Sequence, residues 1–66
     1  MTQKEFITLD KTNRLRAVYK HGRIMATTTD VRYDFQIYYL NGFYVETIKE
    51  TDSPEYKSIE IKVISL

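Results

Sequence analysis

The sequence predicts an all-β domain: a small antiparallel meander of five or six short strands, arranged as an open sheet or a small barrel. The composition favours strands, because six Tyr, three Phe and many Ile, Val and Thr residues suit a pleated, half-buried surface. In addition, the chain has two glycines, and each separates two runs of strand-forming residues, as hairpin turns do. A chain of 66 residues is short enough that residues 1–66 form one domain.

The Asn41-Gly42 pair gives the strongest hairpin signal. It lies between two apolar runs, and an Asn-Gly pair in that position suits a type I′ turn, in which both central residues need positive φ. A two-residue turn also fixes the register of the strands. It places Leu40 opposite Phe43 and continues outward, one pair at a time, to Phe35 opposite Ile48.

This register makes both faces of the hairpin apolar. One face carries Tyr38, Leu40, Phe43 and Val45, and the other carries Phe35, Ile37, Tyr39, Tyr44 and Ile48. A sheet with one solvated face should alternate apolar and polar residues, and this hairpin does not. We therefore expect a non-enzymatic protein-interaction module that forms a homo-oligomer, or binds a protein partner, through aromatic residues. The candidate interface residues are Phe35, Tyr38, Tyr39, Phe43 and Tyr44.

Gly22 predicts a second hairpin, with residues 15–20 and 23–28 as its arms. An alternative interpretation makes the domain α+β, with one helix near residues 11–20. In that case Asp10 caps the helix and Gly22 ends it.

The other segments complete the meander. Residues 5–9 predict a first strand, residues 30–32 a bend, and residues 51–55 a loop in which Pro54 suits the first position of a helical turn. Residues 58–64 alternate cleanly and predict the last strand.

The last predicted strand has one apolar and one charged side. Ile59, Ile61 and Val63 share one side of the alternating pattern, and Glu60 and Lys62 share the other.

The sequence offers little for catalysis or metal binding. It has no Cys and a single His, His21, which excludes disulfides and Cys/His zinc clusters. No nucleophile and base can be paired from it, and no glycine-rich phosphate loop is present. We expect a protein that is not an enzyme and uses no cofactor and no metal.

Hydropathy gives no sign of a membrane partner. The sequence contains no apolar run of the length that a signal peptide or a membrane span requires. The expected location is therefore cytoplasmic.

Charge distribution supports an alternative function, a small β module that binds nucleic acid through a basic hairpin. Residues 1–33 carry seven basic and three acidic residues, whereas residues 34–66 carry three basic and six acidic ones. Basic side chains beside aromatic rings suit phosphates and unpaired bases. The candidate residues for this function are Arg14, Arg16, Lys20 and Arg23.

Overall fold

The computed structural model describes residues 1–51 and 59–64, which form two short helices followed by a four-stranded antiparallel sheet. The sheet is an open meander in which the strands lie in chain order. The elements are α1 (Gln3–Thr8), α2 (Lys11–His21), β1 (Arg23–Thr29), β2 (Tyr33–Leu40), β3 (Phe43–Glu50) and β4 (Ile59–Ile64). The predicted antiparallel meander is confirmed. The prediction of five or six strands in an all-β chain is wrong, because helices occupy the first part of the chain.

Helix α1 replaces the first predicted strand because a capping box begins it. The backbone N–H of Glu5 donates to Thr2 Oγ1 at 3.1 Å, and the N–H of Thr2 donates to Glu5 Oε1 at 2.9 Å. This reciprocal pair gives partners to backbone donors that a helix start otherwise leaves unpaired. Phe6 is then the buried residue of the short helix.

Helix α2 shows that the predicted hairpin at Gly22 is wrong and that the alternative, one helix near residues 11–20, is right. The Asp10 side chain accepts the N–H of Asn13 at 2.8 Å and caps the start of the helix. Leu15 and Val18, three residues apart, are buried on one face of the helix.

Glycine is needed at position 22, just after the end of α2, for a steric reason. Its φ of −77° is open to any residue, so a left-handed conformation is not needed. However, a Cβ at this position would lie 2.4 Å from the Val18 carbonyl oxygen and 3.2 Å from Leu40 Cδ1. Glycine is required because the helix end, the start of β1 and strand β2 come together at this point.

The hairpin of β2 and β3 has the predicted turn and register. Asn41 and Gly42 have φ values of 40° and 107°, the positive values that the turn requires. Residue pairing runs from Leu40 with Phe43 to Phe35 with Ile48, and continues to Tyr33 with Glu50. A strand slip of one residue would turn every side chain to the other face, so this turn determines which residues share a side.

The outer strands extend this register across the sheet. Strand β1 pairs with β2 and has a bulge between Ile24 and Ala26, and all seven of its residues are exposed. Strand β4 pairs with β3 and places Val63 opposite Val45. Ile61 and Val63, predicted to share one side of this strand, both pack against the core. The predicted helical turn at Pro54 lies outside the described residues.

The two helices cover one face of the sheet and form the core with it. Phe6, Val18 and Val45 are completely buried, and the Phe6 and Phe43 rings lie 5.5 Å apart between centroids. Burial of one such side chain stabilises the fold by about 1.5–3 kcal/mol, so most of the hydrophobic free energy lies in this layer. Among the described residues, no helix is long and apolar enough to cross a membrane.

Replacement of Gly22 by alanine should destabilise the fold. Alanine reduces the conformational entropy of the unfolded chain, and this effect alone would raise the free energy of unfolding by about 0.4–1 kcal/mol. The close approach to the Val18 carbonyl should outweigh this gain, because overpacking costs about 1–3 kcal/mol. Chemical denaturation should show a net loss for Gly22→Ala and a change within about 0.5 kcal/mol for Lys20→Ala, an exposed control on the same helix. A variant as stable as the wild type would contradict the close approach.

Removal of the α2 cap should weaken the helix. Asp10→Ala deletes the acceptor for the Asn13 N–H and should reduce the free energy of unfolding by about 1 kcal/mol. Asp10→Asn keeps a side-chain oxygen at the same position and should stay close to the wild type. Equal losses in the two variants would show that the charge of Asp10, rather than its hydrogen bond, matters.

Acid should loosen the start of α1. The Glu5 carboxylate accepts the backbone N–H of Thr2, and this bond holds the pKa of Glu5 below its usual value of 4.5. Because the folded pKa is the lower one, the stabilisation is present above pH 4.5 and is lost as the pH falls through the folded pKa. NMR titration of the Thr2 amide should follow this loss, and Glu5→Gln should remove the pH dependence.

Candidate functional site

The candidate site is the face of the sheet that the helices do not cover, here called the open face. Directly opposed residues of paired strands share a face, so the three sets of strand pairs define its members. In order from β1 to β4 they are Arg23, Ala26, Thr28, Tyr33, Phe35, Ile37, Tyr39, Tyr44, Glu46, Ile48, Glu50, Glu60, Lys62 and Ile64. No described element lies over these residues, because Phe6, Ala17 and Val18 of the helices pack on the opposite side.

Four aromatic rings lie on the open face, and they form two pairs. Tyr39 and Tyr44 face each other across β2 and β3, with ring centroids 5.2 Å apart and ring planes at 58°. Tyr33 and Phe35 follow each other along β2, with centroids 6.1 Å apart and planes at 53°. Such tilted pairs contribute about 0.5–1.5 kcal/mol beyond area burial. Both pairs lie at a surface that water reaches, since Tyr33 and Tyr39 are exposed.

The exposure of these residues is the notable feature of the open face. Tyr33 and Tyr39 are each 37% exposed, and Phe35, Ile37 and Tyr44 are half-buried. Neighbouring strands lie about 4.8 Å apart and residues rise about 3.3 Å, so the four strands present about 400–500 Å² in plan. This area includes charged side chains, so the apolar part of the face is smaller. A contiguous group of exposed aromatic and aliphatic side chains on a monomer often marks an interaction site.

Charges on the open face are unevenly placed along the strands. Arg23 lies beside Tyr39 at the end near the Asn41-Gly42 turn, here called the turn end. Glu50 and Glu60 lie at the opposite end, here called the Tyr33 end. In the middle, Glu46 is directly opposite Lys62 on β4 and Ile37 on β2. The middle is therefore neutral, while the two ends differ in sign.

A cavity of about 310 Å³ opens at the Tyr33 end of the open face, and it is here called the Tyr33 pocket. It is lined by Tyr33, Phe35, Ile48, Glu50 and Glu60. Two rings beside two carboxylates form a surface that suits a cation, because ring faces and carboxylates both attract positive charge. Arg32 lines an adjoining cavity together with Tyr33 and Glu50, so one basic residue also lies near this end.

The structure divides the predicted interface residues between two locations. Phe35, Tyr39 and Tyr44 lie on the open face. Tyr38 and Phe43 instead lie in the core under the helices, 9% and 5% exposed. The Tyr38 hydroxyl donates to Gln36 Oε1 at 2.7 Å, and burial, followed by the nearby Tyr19, raises the pKa of Tyr38. Its ring lies 6.2 Å from the Tyr19 ring of α2 between centroids, so Tyr38 packs between the sheet and this helix.

The four residues predicted to bind nucleic acid do not form one surface. Arg14 is half-buried, with its guanidinium donating to the Ile7 carbonyl at 2.6 Å and lying 5.8 Å from the centre of the Phe6 ring. Arg16 and Lys20 are exposed one turn apart on α2. Arg23 lies on the open face, on the other side of the sheet.

Sequence reasoning missed the residues that complete the open face. The hairpin register gave Phe35, Tyr39 and Tyr44, but Arg23 was assigned to a basic hairpin and Glu60 only to the charged side of its strand. The alternation of Glu60 and Lys62 in β4 was a usable signal. Arg23 had no such signal, because its position depends on the bulge in β1.

Metal-binding side chains are not clustered in the part of the chain that the structure describes. Among the described residues, no three His, Cys, Asp or Glu side chains lie close enough together to hold a metal ion. His21 is exposed at the last position of α2.

Comparison with known proteins adds no assignment. No protein-family model, curated protein or solved structure matches the chain. A function for this chain therefore has to be argued from its own surface.

Proposed function

We propose that this chain is a small, non-enzymatic interaction module that self-associates through the open face of its sheet. The supporting observation is a layer of aromatic and aliphatic side chains on the side of the sheet away from the helices. An antiparallel sheet that keeps one face in water normally places polar residues there. Tyr33, Phe35, Tyr39 and Tyr44 do the opposite, and Tyr is enriched at interfaces because its ring packs while its hydroxyl stays wet.

A second copy of the chain is the favoured occupant for two reasons. The open face carries charges of both signs, so one copy can complement another without a different protein. In addition, sheets pack face to face at a spacing of about 10 Å with interleaved side chains, which suits two equally bulky faces.

The size of the face indicates a transient dimer rather than a permanent one. Two faces of about 400–500 Å² in plan together bury about 800–1,000 Å², which is below the size of stable specific interfaces and in the range of weak or transient ones. We therefore expect monomer and dimer to be in equilibrium.

The nucleic-acid alternative has weaker support. Salt-dependent binding to phosphates requires several cations on one surface. Arg23 lies on the opposite side of the sheet from α2, and the Arg14 guanidinium already donates to the Ile7 carbonyl. Arg16 and Lys20 remain as one exposed pair.

Tyr44→Lys should shift the protein towards monomer. The substitution places a charge in the middle of the aromatic pair of Tyr39 and Tyr44, where a facing sheet would desolvate it. Light scattering over a range of concentrations should show a lower mean molar mass than for the wild type. Ile7→Lys is the matched control, since Ile7 is 51% exposed on α1 and lies away from the open face.

Three results would contradict the proposal. The first is a wild type that remains monomeric at all concentrations. The second is a dimer that Tyr44→Lys leaves unchanged, and the third is an equal loss in Ile7→Lys. Circular dichroism on each variant checks that the fold is retained.

A further inference from the structure

The open face has a direction, because its two ends carry different groups. The turn end has one cation, Arg23, which is exposed at the first position of β1. The Tyr33 end has a pocket of two rings and two carboxylates. The cation and the pocket lie at opposite ends of the same face, so a chain cannot place its own Arg23 in its own pocket.

A second copy can bring the cation and the pocket together. Two identical faces can pack about a two-fold axis that runs either along the strands or across them. An axis along the strands superposes like ends and brings the Glu50 and Glu60 carboxylates of both copies to the same end. An axis across the strands superposes the turn end of each copy on the Tyr33 end of the other. This axis places β1 of each copy over β1 of the other, so Arg23 lies over the Tyr33 end of β1, beside Tyr33 and Phe35 on β2. The rotation of about 30° between aligned packed sheets moves it towards β3 and the Glu50 carboxylate.

The chemistry of the Tyr33 pocket fits a guanidinium group. The planar guanidinium stacks on aromatic rings and bonds carboxylates with its fork of donors. The Tyr33 and Phe35 rings supply the first surface, and Glu50 and Glu60 supply the second. With the axis across the strands, the two Glu46 carboxylates and the two Lys62 ammonium groups of the dimer lie together in the middle of the interface, and their charges sum to zero.

We propose that Arg23 of a second copy binds in the Tyr33 pocket, so that the self-associated form is a two-fold dimer with its axis across the strands. This inference rests on the proposed self-association and adds its orientation and its specific contact. The dimer contains the contact twice, once at each end, and this repetition makes it self-complementary.

Two charge-reversal variants, measured separately and then as a mixture, test this contact. Arg23→Glu places a carboxylate against the pocket, and Glu50→Arg places a guanidinium against Arg23 of the other copy. Sedimentation equilibrium should show a dissociation constant raised at least about tenfold for each variant alone, because close charge pairs at interfaces are strongly coupled. In an equimolar mixture each interface again joins opposite charges. The mixed dimer should then form within about threefold of the wild-type dissociation constant.

Arg16→Glu is the matched control for the change in net charge. Arg16 is exposed on α2, away from the open face, and its reversal changes the total charge by the same amount as Arg23→Glu. It should leave the dissociation constant within about twofold, since exposed charges away from an interface contribute little.

The outcomes separate this inference from the proposed function. A monomeric wild type would overturn both. A wild-type dimer that Tyr44→Lys disrupts, but that Arg23→Glu leaves intact, would keep the open face as the interface and overturn the Arg23 contact. Weakening by both single reversals without recovery in the mixture would also overturn the contact. Recovery only in the mixture would support it.

Discussion

The two-residue turn at Asn41-Gly42 is the constraint on which the rest of the molecule depends. It pairs Leu40 with Phe43 and so determines the side of every residue in β2 and β3. The helices can cover only one of the two apolar faces that result, and they pack on the side of Leu40 and Val45. The aromatic character of the open face is therefore a consequence of the same register that builds the core.

The hairpin could be predicted from the sequence because its signal is local. Asn and Gly are the residues that tolerate positive φ, and the apolar runs on both sides leave one sensible register. Gly22 shows the limit of such reasoning. A glycine between strand-forming residues resembles a turn, yet here it has negative φ and is needed because Val18 and Leu40 approach it. Leu40 is far from Gly22 in the sequence, so its approach leaves no local signal there.

The number of helices was underestimated, because their capping signals stand in a sequence whose composition favours strands. Asp10 followed by Asn13, and Thr2 followed by Glu5, are good helix starts, and hydrogen bonds of 2.8–3.1 Å confirm both. Missing the helices also led to errors in the predicted interface. Without the helices, the sequence gives two apolar faces and no means to decide which one remains open. Tyr38 and Phe43 therefore entered the predicted interface although they lie in the core.

Strand β1 has a consequence for handling the protein. It lies at one edge of the described sheet, all its residues are exposed, and residues 24–29 carry no charge and no proline. Charge and proline are the usual means by which edge strands avoid pairing with other chains, and here the bulge after Ile24 has to serve instead. The proposed dimer would leave this edge in water. We therefore expect that in concentrated solution the edge offers a route to lateral growth of the sheet towards fibrils, and that the bulge opposes it.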